Sequence, residues 1–306
     1  WGQLEATGLA DGLLSEDAGG AGLGLGQVFG VLEQCGAHAL PLPLGETMVA
    51  RALLAQAGVA RPAGSIALAR GEHLANGGLR CALVRSGQVA AAVLVQTGTE
   101  WRLLNTADAQ GAAQALALDA ALTWTAVQVQ AAPAVEVNGA LDVRTLQAAV
   151  VAAQMAGALS SVFRRSLQYA NERQQFGRPI GKFQAIQHQL AVMSEHVFAA
   201  RMAAQLGCSA GHDGMGVVPD RLRVATAKAR CSEAALVVSE LAHAIHGAIG
   251  FTEEYDLQLF TRRLHAWRQT AGSEAYWYGV AGEALLHHQG MTLDIVRRIT
   301  DVDTVL

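Results

Sequence analysis

A basic corner between two helical segments constrains the fold of this chain more than any other stretch. Residues 169–188 read Y-A-N-E-R-Q-Q-F-G-R-P-I-G-K-F-Q-A-I-Q-H. Pro179 is predicted to end the first helix, because proline lacks a backbone donor and restricts the residue before it. A second helix is predicted to begin near Lys182. The chain is therefore expected to fold back here, with Arg173 and Arg178 at the corner.

Such a corner suits an anion, because cationic side chains and the free N–H groups of a new helix point the same way. The plain alternative is an ordinary helical-hairpin turn with solvated arginine and lysine side chains. Spacing alone favours that alternative, since helix starts are common anion sites but few of them are occupied.

From about Arg144 onward the sequence is predicted to be helical. The predicted helices span residues 144–175, 182–208 and 220–246, with shorter ones beginning near Glu253 and after Gly272. Residues 211–219 are predicted to form a loop. Apolar side chains recur at helical spacing along the first two helices, and four such helices pack as an up-and-down bundle.

The first 60 residues are predicted to form helices, including 27–40 and 46–57, broken by a glycine-rich loop. That loop is not a nucleotide phosphate loop, because no Lys-Ser/Thr pair follows it. Residues 64–135 have the composition of strands and turns, which predicts a small antiparallel β domain of five to seven strands. The predicted strands cover residues 65–69, 81–84, 89–95, 101–104 and 126–129.

These patterns predict three domains, whose boundaries we place from the changes in composition. They are an N-terminal helical domain over 1–62, a small β domain over 63–140 and a C-terminal helical bundle domain over 141–306.

Composition narrows the class of protein. Hydrophobic residues make up 51% and charged residues only 16%, which indicates burial in an oligomer as well as in a core. A net charge of −4 without blocks of like charge argues against nucleic-acid or anionic-membrane partners. No apolar run reaches the length that spans a bilayer, and no signal peptide is visible.

Cysteines and histidines have plain interpretations. The four cysteines are far apart and indicate reduced thiols of a cytosolic or matrix-type protein, so a cytoplasmic location is expected. The His243 and His246 pair and the adjacent His287 and His288 lack the further ligands that a metal site requires. No metal is therefore predicted, and helix packing or surface placement is the better interpretation of these side chains.

Two stretches resemble the signatures of the acyl-CoA dehydrogenase family. They are R-Q-Q-F-G-R-P-I-G-K-F-Q from Arg173 and H-G-A-I-G-F-T-E-E-Y from His246, in the expected order and at the expected distance. The resemblance implies an α+β, mostly α fold, with an N-terminal helical domain, a small β domain and a C-terminal four-helix bundle. It also implies FAD as cofactor, an acyl-CoA substrate, an electron-accepting flavoprotein and a dimeric or tetrameric assembly, either homo- or hetero-oligomeric.

The resemblance assigns cofactor contacts in the first signature. In this family an arginine and the polar residue two positions later reach the cofactor across a subunit interface, which implies these roles for Arg173 and Gln175. Phe176 matches a family position that lies against the adenosine side of the cofactor. Gln184 matches the family glutamine on the adenine side. The alternative for Arg173 is an ion pair with Glu172 or another neighbour.

The second signature implies further contacts. Gly247 and Gly250 match positions where the backbone approaches the cofactor closely. Ser273 matches a hydroxyl residue near the pyrophosphate. This chain departs twice from the family pattern Gln-x-x-Gly-Gly-x-Gly. Ala244 replaces the glutamine and Ala248 replaces the second glycine. One hydrogen bond to the flavin nucleotide is therefore missing.

The catalytic base is absent from both of its usual positions. The reaction that the resemblance implies needs a carboxylate whose pKa is raised by an apolar pocket. The two family positions for that glutamate are Ala271 and Gln147 here, and neither side chain can accept the proton. Glu274 is a candidate displaced base, because two aromatic neighbours would raise its pKa. The alternative is that Glu274 caps or solvates the helix that begins at Gly272.

Three interpretations follow. Glu274 is the base, or a second chain supplies the base, or catalysis is lost. Some family members act as pairs of unlike subunits, often on steroid side chains or other bulky thioesters, and residues 261–277 resemble that branch. The loop that covers the flavin in the family has no match in the β domain. The predicted function is FAD-dependent α,β-dehydrogenation of an acyl-CoA thioester by one subunit of an unlike pair. The alternative is a catalytically silent subunit that completes the FAD site.

Overall fold

The computed structural model describes residues 1–114, 118–137, 141–209 and 217–301. The helices are α1 (Gly2–Glu5), α2 (Phe29–Ala37), α3 (Leu44–Gln56), α4 (Ala126–Ala131), α5 (Val143–Glu172), α6 (Gln184–Gly207), α7 (Arg221–His246), α8 (Leu257–Gln269), α9 (Glu274–His287) and α10 (Thr292–Thr300). The strands are β1 (Ile66–Arg70), β2 (Glu72–His73), β3 (Leu79–Val84), β4 (Ala92–Thr97), β5 (Glu100–Asn105), β6 (Gln110–Ala113), β7 (Ala120–Trp124), β8 (Gln174–Gln175) and β9 (Arg178–Pro179).

Contacts divide the chain into two compact units. Unit 1 is built mainly from Trp1–Val28 and Pro41–Gln147, and unit 2 mainly from Phe29–Leu40 and the chain after Ala148. The predicted α+β, mostly α architecture is confirmed, with a small sheet region followed by a helical C-terminal region. The division into domains at residues 62 and 140 stays a prediction.

Unit 1 contains two sheets. The first has the order β1-β4-β5, and the second has the order β2-β3-β7-β6. These seven strands of the described residues agree with the predicted number, but the prediction of a wholly antiparallel domain is wrong. Strand β1 pairs with β4 in parallel, with Leu68 opposite Leu94, whereas β4 and β5 are antiparallel. Alternating side chains of both sheets, Trp124 and Leu79 among them, form a buried core.

Side chains satisfy the free edge of β1. The Leu68 N–H donates to Glu46 Oε2 at 3.0 Å, and the Leu68 carbonyl accepts from Gln147 Nε2 at 2.6 Å. The Ile66 N–H donates to Thr47 Oγ1 at 2.9 Å. Buried backbone groups need partners, so α3 and the first turns of α5 substitute for a neighbouring strand.

The predicted strand over residues 126–129 is wrong, because these residues form α4. A capping box starts this helix: Thr125 accepts from the Gln128 N–H, and the Gln128 side chain accepts from the Thr125 N–H at 2.7 Å. These bonds satisfy orphan donors at the helix start. Strand β7, directly before the capping box, was not predicted.

Small residues allow the helices of unit 2 to pack closely. A Cβ at Gly36 on α2 would lie 1.7 Å from the Gln154 carbonyl oxygen on α5, so the two backbones are in contact. The Cys231 thiol on α7 lies 3.6 Å from the Ala152 carbonyl on α5 and 3.4 Å from the Ala200 carbonyl on α6. Four helices therefore approach each other with little side chain between them. None of the four cysteines forms a disulfide, and all four are buried.

Helix boundaries differ from prediction by a few residues. Helix α5 ends at Glu172 rather than at 175, and α6 begins at Gln184 because Ile180–Lys182 is a 3₁₀ turn. Helix α8 begins at Leu257, and α10 was not predicted. Asp220 caps α7 with its carboxylate, as the favourable charge expected there, accepting from the N–H groups of residues 222 and 223. Most of the loop predicted over 211–219 lies outside the described residues.

Two helices, Val143–Glu172 and Arg221–Phe251, are long and apolar enough to cross a membrane by length and composition alone. The expectation that no apolar stretch meets this length is therefore wrong. The criterion is weak, because core helices of helical bundles also satisfy it. In this chain 89% of the apolar window in the first helix is buried within the fold.

Candidate functional site

The basic corner is a β-hairpin inserted between two helices. Strands β8 and β9 pair with Gln174 opposite Pro179 and Gln175 opposite Arg178. Phe176 and Gly177 form the two-residue loop, with φ angles of 51° and 76°. Two positive φ angles are what a type I′ hairpin turn requires. The prediction that Pro179 ends the first helix is wrong, because the helix ends seven residues earlier and Pro179 lies within the hairpin.

The hairpin tip presents an aromatic ring to solvent. Phe176 is 92% exposed, and its ring makes only an edge contact with Phe183, with 6.1 Å between ring centroids. Arg178 covers the other ring, with its guanidinium carbon 4.3 Å from the Phe183 centroid. A left-handed conformation at a bulky residue is unusual, and such strain clusters at ligand sites. The tip therefore has the features of a binding element.

Arg173 is an exposed cation with no partner among the described residues. The alternative considered for Arg173, an ion pair with Glu172, is not formed, and the Glu172 carboxylate accepts from Gln168 Nε2 at 2.8 Å. Gln175 and Gln184 are also exposed. The structure thus leaves the polar side chains of the first signature open to solvent, at the hairpin and at the first residue of α6.

Two different constraints explain why glycine occupies positions 247 and 250 of the second signature. Gly247 ends α7 at φ 63° and ψ −144°, a conformation that strongly favours glycine, and nothing lies within 4 Å of the position of a Cβ. Its backbone is therefore open to a ligand. At Gly250 a Cβ would lie 3.0 Å from His246 Cβ and 3.2 Å from His243 Nδ1. Packing within the chain alone explains Gly250.

The histidine pair packs against aromatic rings, as expected. His246 stacks on Tyr169 at 4.5 Å between centroids, and His243 stacks on Phe251 at 4.2 Å. His243 Nε2 also lies 3.1 Å from Thr261 Oγ1. Burial lowers the pKa of both imidazoles, so both are neutral at pH 7. The described residues contain no group of three or more histidine, cysteine, aspartate or glutamate side chains that could hold a metal ion.

The turn between α8 and α9 holds the first of the two implied base positions. Ala271 has a φ of 57° and Gly272 a φ of 105°. The Ala271 carbonyl accepts from Trp277 Nε1 at 3.0 Å. A Cβ at Gly272 would lie 2.8 Å from Tyr276 Cδ1, so glycine is required there by both conformation and space. A strained, firmly held turn therefore presents a methyl group where the family has a carboxylate.

Gln147 occupies the other implied base position, and it has a structural partner. Its side chain is 9% exposed and donates to the Leu68 carbonyl on β1. The amide closes the strand edge described above. Gln147 therefore supplies a structural donor and no proton acceptor.

Glu274 does not have the raised pKa that was expected of a displaced base. Arg268 forms two hydrogen bonds with its carboxylate, one from Nε to Oε2 at 3.0 Å and one from the terminal guanidinium nitrogen. Hydrogen bonding from Arg268 lowers the pKa of Glu274, so the expectation of a raised pKa is wrong. Glu274 is the first residue of α9, where a carboxylate suits the helix dipole. Its role as base stays a prediction.

Ser273 lies at the N-cap of α9, but its hydroxyl makes no capping hydrogen bond. Serine at this position usually accepts from the second or third N–H of its helix. The Ser273 hydroxyl is therefore available to a ligand, whereas the first N–H of this 14-residue helix is hydrogen-bonded to the Glu274 carboxylate. The contact of Ser273 with a pyrophosphate stays a prediction.

Lys228 is a buried cation near this turn that the sequence analysis missed. It is 0% exposed on α7, and its Nζ donates to Ser232 Oγ at 2.9 Å, the Arg268 carbonyl at 3.0 Å and the Gly272 carbonyl at 2.9 Å. Burial lowers its pKa to about 7. The sequence contained a signal: Val224 and Cys231, one helical turn away on either side, mark an apolar face.

The lowered pKa predicts a pH-dependent stability. Lys228 titrates near pH 7 when folded and at its ordinary value of 10.5 when unfolded, so the unfolded chain binds more protons between these values. The free energy of unfolding of the wild type should therefore rise with pH above 7, relative to Lys228→Met, by up to about 1.4 kcal/mol per pH unit. Denaturant unfolding of both proteins at pH 6.5, 7.5 and 8.5 measures this difference.

The ionisable neighbours of Lys228 should not add to the pH dependence of this difference in unfolding free energy. Glu274 has a lowered pKa and Arg268 a raised one, so both stay charged, while burial raises the pKa of Cys231 to about 12. A difference in unfolding free energy that does not change with pH would show that the amine is not perturbed.

Comparisons with known proteins agree with this geometry. The family model for the acyl-CoA dehydrogenase C-terminal domain matches residues 142–286. Acyl-CoA dehydrogenase IpdE2 of Mycolicibacterium smegmatis is 30% identical over 272 residues, covering 88% of this chain and 81% of that protein.

Solved structures share the fold. The ChsE4-ChsE5 complex from Mycobacterium tuberculosis matches with a TM-score of 0.80 and 22% identity, over 95% of this chain and 88% of that one. A variant of the steroid ACAD Tcur3481-Tcur3483 matches with a TM-score of 0.76 and 28% identity, over 92% of this chain and 87% of that one.

Proposed function

Because this chain belongs to the acyl-CoA dehydrogenase family, we propose that it is one subunit of an unlike pair that dehydrogenates an acyl-CoA thioester at the α,β position. Members of this family are FAD-dependent oxidoreductases, which confirms the predicted enzyme class and cofactor. The observation that carries the proposal is the exposed Arg173, which has no side-chain partner among the described residues and lies three positions before the exposed ring of Phe176.

The side chains of this structure fit FAD. Arg173 supplies a free cation, Ser273 an unused hydroxyl at a helix start, and Gly247 an open backbone. We assign the adenosine side to Phe176 with Gln184, and a polar contact to Gln175. Gly250 is a weaker candidate, because packing within the chain already explains it. Bound FAD would supply the acceptor for the hydride that leaves the β-carbon of the thioester.

The missing base supports an unlike pair. Ala271 carries no carboxylate, and Gln147 is engaged with the Leu68 carbonyl. Glu274 is held by Arg268 as an ionised carboxylate, a poor state for a general base that needs a pKa near the working pH. A second, unlike chain would therefore supply the carboxylate that removes the α-proton. Two structural relatives are themselves named as pairs, ChsE4-ChsE5 and Tcur3481-Tcur3483.

The substrate class and assembly follow from the same comparison. We propose a bulky acyl group, such as a steroid side chain, because the Tcur3481-Tcur3483 relative is described as a steroid ACAD. The assembly would be a dimer or tetramer that passes electrons to a flavoprotein acceptor. A cytoplasmic location fits four buried cysteines that form no disulfide. The three-domain division over 1–62, 63–140 and 141–306 is retained as part of the proposal.

The second candidate function is a catalytically silent subunit that completes the FAD site of its partner. The ion pair between Arg268 and Glu274 favours it, because the candidate displaced base is held as an ionised carboxylate by a cation. The two candidates differ in whether a thioester bound beside this chain becomes oxidised.

Removing the guanidinium tests the cofactor site. Arg173→Ala should lower the FAD bound per protein by at least about tenfold, because a charge-assisted contact to a phosphate is lost. Flavin absorbance at 450 nm relative to protein, measured after gel filtration, gives the occupancy. The matched control is Arg80→Ala, which removes another exposed arginine on β3. Equal flavin content in both variants would show that Arg173 does not contribute to FAD binding.

Adding the carboxylate tests the empty base position. Ala271→Glu should raise the rate of flavin reduction by acyl-CoA by roughly 100-fold in the purified chain, because general base catalysis typically contributes this much. Ala271→Gln is the control, since it has the same size without a charge. Anaerobic stopped-flow measurement of flavin bleaching reports the rate. A Glu variant no faster than the Gln variant would argue that this turn does not face the substrate.

Neutralising Glu274 separates the displaced base from the unlike pair. Glu274→Gln should leave the rate of flavin reduction within about twofold of the wild type, and should lower stability by less than about 1 kcal/mol because the ion pair is partly exposed. Stopped-flow reduction and denaturant unfolding measure the two effects. A rate loss of about 100-fold or more with unchanged stability would identify Glu274 as the base and remove the need for a second chain.

A further inference from the structure

A lysine at position 228 is unfavourable for the stability of the fold. Its ammonium group is fully buried, and removing a charge from water is unfavourable unless its hydrogen bonds are replaced. Its Nζ has three hydrogen-bond partners, at 2.9, 3.0 and 2.9 Å. A methionine of similar length would fill the space without the desolvation cost. The donors, rather than the packing, therefore explain a lysine here.

The acceptors lie on the turn that precedes α9. The Arg268 carbonyl belongs to the last turn of α8, where cations are favoured by the helix dipole. The Gly272 carbonyl directly precedes Ser273, the N-cap of α9. Trp277 Nε1 donates to the carbonyl of Ala271, the residue directly before Gly272. Two buried donors from different helices thus hold both left-handed residues of the turn.

We propose that Lys228 is a positioning residue of the cofactor site, which fixes the Ala271–Gly272 turn and thereby presents the Ser273 hydroxyl at the start of α9 to FAD. This inference rests on the proposed function only for the identity of the ligand. The hydrogen bonds that fix the turn are independent of any ligand. Lys228 itself has no exposed surface and does not touch the cofactor.

A double-mutant cycle tests the inference in the purified chain. Lys228→Met should raise the FAD dissociation constant by about tenfold, measured by the change of flavin fluorescence on binding. Ser273→Ala should weaken FAD binding in the wild type but have little further effect when combined with Lys228→Met, because two residues that act through one turn are coupled. The visible circular dichroism of bound flavin should change in both single variants.

A matched control separates positioning from general loss of stability. Ala235→Gly loosens the same helix at a fully buried position away from the turn. It should lower the melting temperature and leave the FAD dissociation constant within about twofold. Equal effects of Ala235→Gly and Lys228→Met on FAD affinity, or full additivity of Lys228→Met with Ser273→Ala, would overturn the inference.

Hydrogen exchange in the absence of FAD gives an independent result. Lys228→Met should speed exchange of the amides of residues 272–276 by about tenfold or more, with little change elsewhere on α7, because the turn loses two of its anchors. A uniform increase along α7 and α9 would overturn the inference. A wild-type chain that binds no FAD would contradict the proposed function instead, and the exchange pattern would still decide whether Lys228 fixes the turn.

Discussion

The backbone contacts of α5 are the constraint on which unit 2 depends. Where Gly36 on α2 meets the Gln154 carbonyl, no side chain fits between the two helices, and Gly157 meets the Glu33 carbonyl in the same way. Helices at this distance cannot slide without a clash, since packed cores are not continuously deformable. The far end of α5 is fixed as well, because Tyr169 stacks on His246. The hairpin at the end of α5 is therefore presented from a rigid support, which a binding element requires.

Two features of the candidate site are strained and yet well supported. Phe176 and Ala271 are both non-glycine residues in the left-handed region, at about 1–2 kcal/mol each. The ladder of β8 and β9 holds the first, and Lys228 with Trp277 holds the second. Strain of this kind persists only where the surroundings over-determine the backbone. The chain thus fixes the backbone both at the hairpin that we propose to bind the cofactor and at the turn where Ala271 carries only a methyl group.

Much of this architecture was accessible from the sequence. Apolar periodicity gave the long helices, since their packing faces follow a 3.6-residue repeat. The hairpin was missed because the corner was interpreted as a direct turn between two helices, although Phe176-Gly177 occupies the loop of a two-residue hairpin. The sequence contains a signal that predicts α4, because Thr125 and Gln128 have the spacing of a capping box. The alternating valines were instead interpreted as a strand.

Other features depend on distances that a sequence does not contain. The pKa of Glu274 is lowered by Arg268, which precedes it by six residues on a different helix and meets it only because of the turn between them. The two aromatic neighbours that suggested a raised pKa are present, but a direct hydrogen bond from a cation outweighs their desolvation. The parallel pairing of β1 with β4 likewise depends on topology, because either strand would show the same alternation in an antiparallel sheet.

The two vacant base positions are not equivalent, and the difference indicates which one retains a functional geometry. A carboxylate at residue 147 would lose the donor that satisfies the Leu68 carbonyl, at about 1–3 kcal/mol for the buried group left unpaired. It would also bring a second negative charge toward the strand whose Leu68 N–H already binds Glu46. At Ala271 the side chain is a methyl group that makes no hydrogen bond, and the turn is held by the Ala271 and Gly272 carbonyls and by the bond from the Gly272 N–H to the Gln269 carbonyl. Gln147 thus has a structural role on β1, whereas a carboxylate at Ala271 would displace no side-chain hydrogen bond, so we expect a proton acceptor to be restored to this chain most easily at Ala271.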